Sequence, residues 1–88
     1  MRSTSVTVGT TPTLLVAADD LNRYVYLHVI GNTGVYLGGS TVTTATGIPT
    51  EKHTTPVELF IPSRQTLYGV VTAEAGTADI RILTPDVD

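Results

Sequence analysis

The sequence of 88 residues contains no cysteine, so no disulfide bond can stabilise the fold. It has five basic and eight acidic residues, which give a net charge of -3 at neutral pH. A protein that binds nucleic acid by neutralising phosphates needs a basic surface, and the few basic residues here are scattered along the chain. We therefore predict that nucleic acid is not a partner.

Long apolar segments are also missing. The longest runs, residues 14–18 and residues 24–30 with His28 among them, are too short for a bilayer span, which takes about 20 apolar residues. After Met1 and Arg2 the chain continues with Ser-Thr-Ser-Val-Thr instead of the apolar stretch of a secretion signal. We expect synthesis in the cytoplasm and no membrane partner.

The chain is rich in threonine and valine, with eight glycines and five prolines at short intervals. β-Branched side chains suit a pleated surface, and glycine and proline favour turns. No window shows a sustained helical period. The pattern predicts strands over residues 5–8, 13–17, 23–30, 35–37, 57–61, 67–72 and 78–83, with residues 41–43 as an eighth candidate.

These strands predict an all-β fold, a small antiparallel β-sandwich or barrel of seven to eight short strands, in one domain over residues 1–88. Residues 1–4 and 84–88 are predicted to be tails that are flexible or contact a partner. The glycines in residues 31–34 and 75–76 predict tight hairpins between the strands on either side. Residues 38–56 are predicted to form a long irregular loop, a kind of segment that is often functional.

Alternation along the strands predicts which side chains face the core, because successive residues of a strand point to opposite faces. The predicted core consists of apolar residues of one face in each strand: Leu15, Val25, Leu27, Val29, Leu37, Val57, Leu59, Ile61, Leu67, Val71, Ala78, Ile80 and Ile82.

No motif for catalysis is present. His28 and His53 lie in different predicted elements, without a second ligand at metal-binding spacing. Asp19 and Asp20 are adjacent between two strands, which is more typical of a solvated turn than of a carboxylate pair for acid–base chemistry. Gly38, Gly39 and Ser40 are not followed by a helix or by the lysine of a phosphate-binding loop. We predict a protein that is not an enzyme, with no catalytic residue, cofactor or metal.

Two sets of residues are candidates for contact with a partner. Tyr24, Tyr26 and His28 alternate with the core residues of the longest strand, and amphipathic rings of this kind are common in protein interfaces. Alternatively, they line the second face of the sandwich or lie under the long loop. The second set comes from that loop and consists of Ile48, Pro49, Glu51, Lys52 and His53.

Five segments of the chain carry a resemblance to a known group of proteins. They are VTVGTTPTLLVAA at residues 6–18, the Arg-led strand at 23–29, VYLGGSTVT at 35–43 with GIP at 47–49, LYGV at 67–70 and GTADIRIL at 76–83. Together they resemble small β-sandwich modules of tailed-bacteriophage virion proteins, notably head decoration and head-fibre proteins. The resemblance spans most of the chain and brings no catalytic residues with it.

This resemblance implies a capsid decoration (cement) protein on the outer surface of the phage head, made in the host cytoplasm, that stabilises contacts between capsomers. The implied partners are the major capsid protein and further copies of the chain, with a homotrimer expected. The alternative is a head-fibre base or tail-associated module that recognises a host surface or a longer fibre. A cellular β-sandwich binding domain is a third possibility.

Overall fold

The computed structural model describes residues 1–31, 33–51 and 56–85, and these residues form eight strands in two four-stranded antiparallel sheets. The front sheet has the order β1-β8-β3-β6 and the back sheet the order β2-β7-β4-β5. The predicted all-β sandwich is confirmed. The strands are β1 Arg2–Val8, β2 Thr13–Val16, β3 Arg23–Ile30, β4 Val35–Gly38, β5 Ile48–Thr50, β6 Val57–Ile61, β7 Leu67–Val70 and β8 Ala78–Thr84.

The strand order is that of a jelly roll, an eight-stranded double sheet built from two Greek keys. Among the described strands, only β4 and β5 are both consecutive and paired, whereas every other connection crosses from one sheet to the other. The core therefore lies between two sheets that the chain visits alternately.

The two predicted hairpins are wrong. Gly31 and Gly76 do adopt positive φ angles of 98° and 75°, so both are turn residues. However, β3 lies in the front sheet and β4 in the back sheet, and β7 and β8 are divided in the same way. A glycine turn reverses the chain locally, but burial of both apolar faces sends the following strand to the opposite sheet.

The core consists of apolar side chains that point inward from both sheets, and Leu27 and Ile80 are fully buried. The predicted inward faces of β3, β6 and β8 are confirmed, with Val57 and Leu59 only partly buried. The core also includes Val8, Leu15, Val16, Val25, Val29, Val35, Leu37, Ile61, Leu67, Val71, Ala78 and Ile82.

The N-terminal residues do not form the predicted tail. Residues 2–4 belong to β1, where Arg2 pairs with Thr84 and Ser3 with Leu83 of β8. Thr84 is buried at the end of β8 rather than lying in a tail. The pairing extends to both ends because two β-rich segments of seven residues can form a complete ladder. Residues 86–88 lie outside the described residues.

The long segment between β4 and β6 is more regular than the sequence predicts. It contains β5, and residues 41–43 lie in a turn instead of a strand. In this turn the amide of Gly47 donates to the carbonyl of Thr43 at 2.8 Å, and the hydroxyl groups of Thr43 and Thr46 are 3.0 Å apart. Threonine side chains thus bond to the local backbone and to each other in place of a strand ladder.

Candidate partner-binding surface

The outer face of the front sheet carries the tyrosines that the sequence singles out. Tyr24 and Tyr26 point away from the core on β3, and the register places Tyr24 opposite Phe60 of β6. Tyr26 lies between Glu58 of β6 and Leu83 of β8. Tyr24, Phe60 and Leu83 are 56%, 46% and 37% exposed. We call Tyr24, Tyr26, Phe60 and Leu83 the front patch.

Tyr24 and Phe60 form an aromatic pair at the β6 side of this apolar surface. Their ring centroids are 5.2 Å apart and the ring planes are inclined at 59°. Tilted rings at this distance attract each other through the positive edge of one ring and the negative face of the other. The pair holds two large apolar side chains in fixed positions on a rigid sheet, with roughly half of each side chain still in solvent.

Tyr26 is oriented by an acidic neighbour. Its hydroxyl group donates a hydrogen bond of 2.9 Å to Oε2 of Glu58 on the adjacent strand. This hydrogen bond, together with the negative charge of the carboxylate, raises the pKa of the Tyr26 phenol above its ordinary value of 10.0. Tyr26 therefore presents its ring within the front patch while its hydroxyl group is directed to Glu58.

His28 lies further along the same face of β3 and is half-buried. The register places it opposite Arg81 of β8. His28, Arg81, Tyr26 and Leu83 take part in lining a shallow groove of about 370 Å³, which Ser3, Pro56 and Ile82 complete. The groove thus brings together His28 and Tyr26, while Tyr24 lies on the same face of β3 outside the groove lining.

Ile48 lies on a second apolar surface, at the edge of the sandwich between β5 and β6. It is 71% exposed and lines an apolar groove of about 300 Å³ together with Phe60, Leu59 and core residues such as Leu27. Phe60 therefore belongs both to the front patch and to this edge groove. The two surfaces are continuous around β6.

The remaining loop candidates are not gathered at this site. Pro49 is exposed on β5, where it pairs with Tyr36 of the back sheet, and Glu51 is exposed just after that strand. Lys52 and His53 lie outside the described residues. Phe60 and Leu83 belong to the front patch but are not among the candidates predicted from the sequence. Alternation does place Phe60 outward, but its position beside Tyr24 depends on the pairing of β3 with β6.

The protein covers part of the outer face of the back sheet, although Leu14 on β2 remains 45% exposed there. Val42, in the turn formed by residues 39–47, is buried, and so is Val70 on β7. Neither belongs to the core between the sheets. A Cβ atom on Gly47 would lie 2.8 Å from Cβ of Tyr36 and 2.9 Å from Cγ2 of Val42. The turn therefore packs tightly on this face, on the opposite side of the sandwich from the tyrosines of the front sheet.

One buried charged residue has a structural role. Arg23, at the start of β3, is buried, and its guanidinium group donates to the carbonyl of Ala17 at 3.0 Å and to that of Gln65 at 3.4 Å. These bonds connect the end of β2 and the segment before β7 to the front sheet. Arg23 thus links the two sheets by hydrogen bonds at this end of the sandwich.

The described residues contain no group of three or more histidine, cysteine or acidic side chains that could hold a metal ion. Within the same residues, no helix has the length and apolar character needed to cross a membrane. The fold and surface define a jelly-roll β-sandwich with one outer face partly covered by its own turn and the other carrying an uncovered aromatic patch. Compared with known proteins, the chain matches no family model, no curated protein and no solved structure.

Proposed function

We propose that this protein is a structural virion protein, a decoration (cement) protein on the outer surface of a tailed-phage head. Its partner is the major capsid protein, and its role is to stabilise contacts between capsomers without catalysis, cofactor or nucleic acid. The observation that carries the proposal is the front patch, where three large apolar side chains are more than one-third exposed on one sheet face. Clustered exposed apolar side chains mark sites of protein association.

The physical properties of the domain suit this role. A β-sandwich is a rigid base, so aromatic side chains on it lose little freedom when a partner covers them. Aromatic residues also contribute much of the binding energy in protein interfaces. A capsid offers many equivalent positions, so modest contacts that bridge neighbouring subunits add up to a stable shell.

Jelly-roll proteins have several functions, and the proposal of a virion role among them rests on the resemblance of the sequence to phage head proteins. The fold alone does not decide among these functions, because viral capsid proteins, lectins and cupins all use it. The alternative of a receptor-binding head-fibre or tail module requires a groove where aromatic and acidic side chains converge. The groove beside His28 has a tyrosine, but no carboxylate is among the described residues that line it. This difference favours the decoration role.

The test is co-sedimentation of the purified protein with empty heads assembled from the major capsid protein of the same genome. We expect the wild-type protein to sediment with the heads and the double variant Tyr24→Ser, Phe60→Ser to remain in solution. The matched control is Leu21→Ser, which removes an exposed apolar side chain from the segment between β2 and β3. It is expected to bind like the wild type.

Circular dichroism establishes that each variant is folded before binding is measured. If the wild-type protein does not bind the heads, the proposed function is wrong. If the folded double variant binds as tightly as the wild type, the contact does not involve the front patch. A variant with Ile48→Ser then tests whether the edge groove carries the contact.

Self-association is a further part of the proposal, since a thin core without disulfide bonds gains stability from burial against like copies. The expected homotrimer stays a prediction of the sequence resemblance. The edge strands of the two sheets indicate the surface on which copies meet.

A further inference from the structure

The two sheets have four edge strands: β1 and β6 in the front sheet, and β2 and β5 in the back sheet. An edge strand has unpaired N–H and C=O groups along one side, which pair readily with another strand. Soluble proteins prevent such pairing with short strands, prolines, charges or β-bulges at their edges. The four edges can be compared by these features.

Three of the edges have features that hinder pairing with another strand. β2 has four residues, follows Pro12 and contains a register shift between Leu14 and Val16. β5 has only three residues, and the middle one is Pro49. β6 has five residues, lies between Pro56 and Pro62 and carries the exposed charge of Glu58. Each of these edges is therefore a poor template for an added strand.

The edge formed by β1 is different. It has seven residues, RSTSVTV, which pair with β8 in unbroken register from Arg2 to Val8. The strand contains no proline and no bulge, and its single charged residue lies at one end. Every second residue of such a strand directs its N–H and C=O away from β8. β1 is thus a long and regular edge without a charged residue after Arg2.

The sandwich is also open beside this edge. Thr4, on the inward face of β1, is exposed, and Val6 on the same face is only half-buried. Thr4 lines a groove of about 460 Å³ together with Leu14 and Val16 of β2. The packing at β1 is therefore incomplete on the inner side as well as along the hydrogen-bonding edge.

We infer that β1 is the self-association edge, where a second copy of this chain adds its own β1 in antiparallel orientation about a two-fold axis. The sequence of the strand favours a second copy, because it complements itself in this arrangement. With Ser5 opposite Ser5 of the other copy, Arg2 lies opposite Val8 and Thr4 opposite Val6. The two arginines are at opposite ends of the ladder, so no like charges meet.

The arrangement has a consequence for the front patch. A two-fold axis perpendicular to the sheet joins two front sheets into one sheet of eight strands and keeps their outer faces on the same side. The front patches of both copies then face in one direction. This inference rests on the self-association within the proposed function, and it replaces the expected three-fold contact with a two-fold one.

Charge substitutions at the symmetry centre test the inference. Ser5 is exposed on the outer face opposite Arg81 of β8, so Ser5→Lys faces a like charge within the domain and Ser5→Glu an opposite one. Circular dichroism establishes that both variants are folded before association is measured. In the pair, each substitution places two like charges directly opposite each other. We expect the wild-type protein to dimerise with rising concentration in sedimentation velocity experiments and each single variant to associate several-fold more weakly. An equimolar mixture of the two variants should dimerise at least as well as the wild type.

The matched control is Ser40→Lys, the same substitution at an exposed position in the turn after β4. It should dimerise like the wild type. A cysteine provides a second measurement, because the chain has none of its own. Mild oxidation should link Ser5→Cys into covalent dimers, since directly opposed residues lie within disulfide reach, while Ser40→Cys should not cross-link.

Three results would overturn the inference. The first is a wild-type protein that is monomeric at all concentrations, with no cross-linking through residue 5. The second is a trimer, or a dimer that the charge at residue 5 does not weaken. The third is a monomer that loses binding to empty heads with Ser5→Lys, which would assign the edge to a strand of the capsid protein. Binding of a strictly monomeric protein to heads would leave the proposed function in place.

Discussion

The outer faces of the two sheets differ in how far their apolar side chains are exposed to solvent. On the back sheet, the turn formed by residues 39–47 folds over the surface, and its Val42 is buried there. On the front sheet, the rings of Tyr24 and Phe60 pack against each other at a tilt and remain about half exposed. The chain itself thus covers the β4 and β7 side of the back face, while Leu14 on β2 stays exposed. The aromatic pair of the front face stays exposed, and this difference is why the front patch is proposed as the binding surface.

The largest expected effect comes from the core that both faces share. Leu27→Ala removes a fully buried side chain between the sheets, so it should lower the free energy of unfolding by about 2–5 kcal/mol. Urea denaturation measures the change, with the exposed Leu21→Ala as the control that should have little effect. A Leu27→Ala variant as stable as the wild type would contradict the strand register and, with it, the assignment of both outer faces.

A glycine pair tests the covered part of the back face. Gly47→Ala would bring a Cβ atom to 2.8 Å from Cβ of Tyr36, which cannot move without shifting β4. Overpacking of this kind costs about 1–3 kcal/mol of stability. Gly39→Ala is the matched control, because no heavy atom lies within 4 Å of its added Cβ. Equal melting temperatures for the two variants would show that the turn does not pack on the sheet.

The uncovered front face should respond differently. In the isolated protein, the double variant Tyr24→Ser, Phe60→Ser loses one partly exposed aromatic pair, which is worth about 1 kcal/mol. About half of each ring is also buried, so we expect a moderate loss of stability in urea denaturation, smaller than that of Leu27→Ala, although the same variant should lose binding to heads. A loss of stability as large as that of Leu27→Ala would mean that the front patch is part of the folding core and not a free surface.

The smallest effect concerns Tyr26 and Glu58. Replacing Glu58 by Gln removes the negative charge, so the pKa of Tyr26 should fall towards 10.0. The pKa of Tyr26 is raised in the folded state, so the interaction of Tyr26 with Glu58 contributes fully to stability below pH 10. This contribution is lost as the pH rises through the higher pKa of Tyr26 in the folded protein. Absorbance titration of the four tyrosines detects the shift, with Tyr26→Phe identifying the signal. An unchanged titration in Glu58→Gln would contradict the hydrogen bond.

The sequence predicts much of the local structure of this protein. Alternation along β3 correctly separates the buried Val25 and Leu27 from the outward Tyr24 and Tyr26. The bounds of β3 and β6 agree with the prediction, since glycine, proline and the β-branched residues define them. The candidate site is only partly predictable. Phe60 joins it because β3 pairs with β6, and this pairing links positions 36 residues apart in the sequence.

What the sequence by itself determined is the all-β class, most strand positions and which side of each strand is apolar, because these follow from side-chain shape and the two-residue period of a strand. Only the tertiary structure decided which strands are neighbours. The turns at Gly31 and Gly76 are compatible with either a hairpin within one sheet or a crossing between the two sheets. The crossing is favoured because it lets the apolar faces of the two sheets bury each other. In the resulting strand order, β1 is an edge strand and the front patch is exposed.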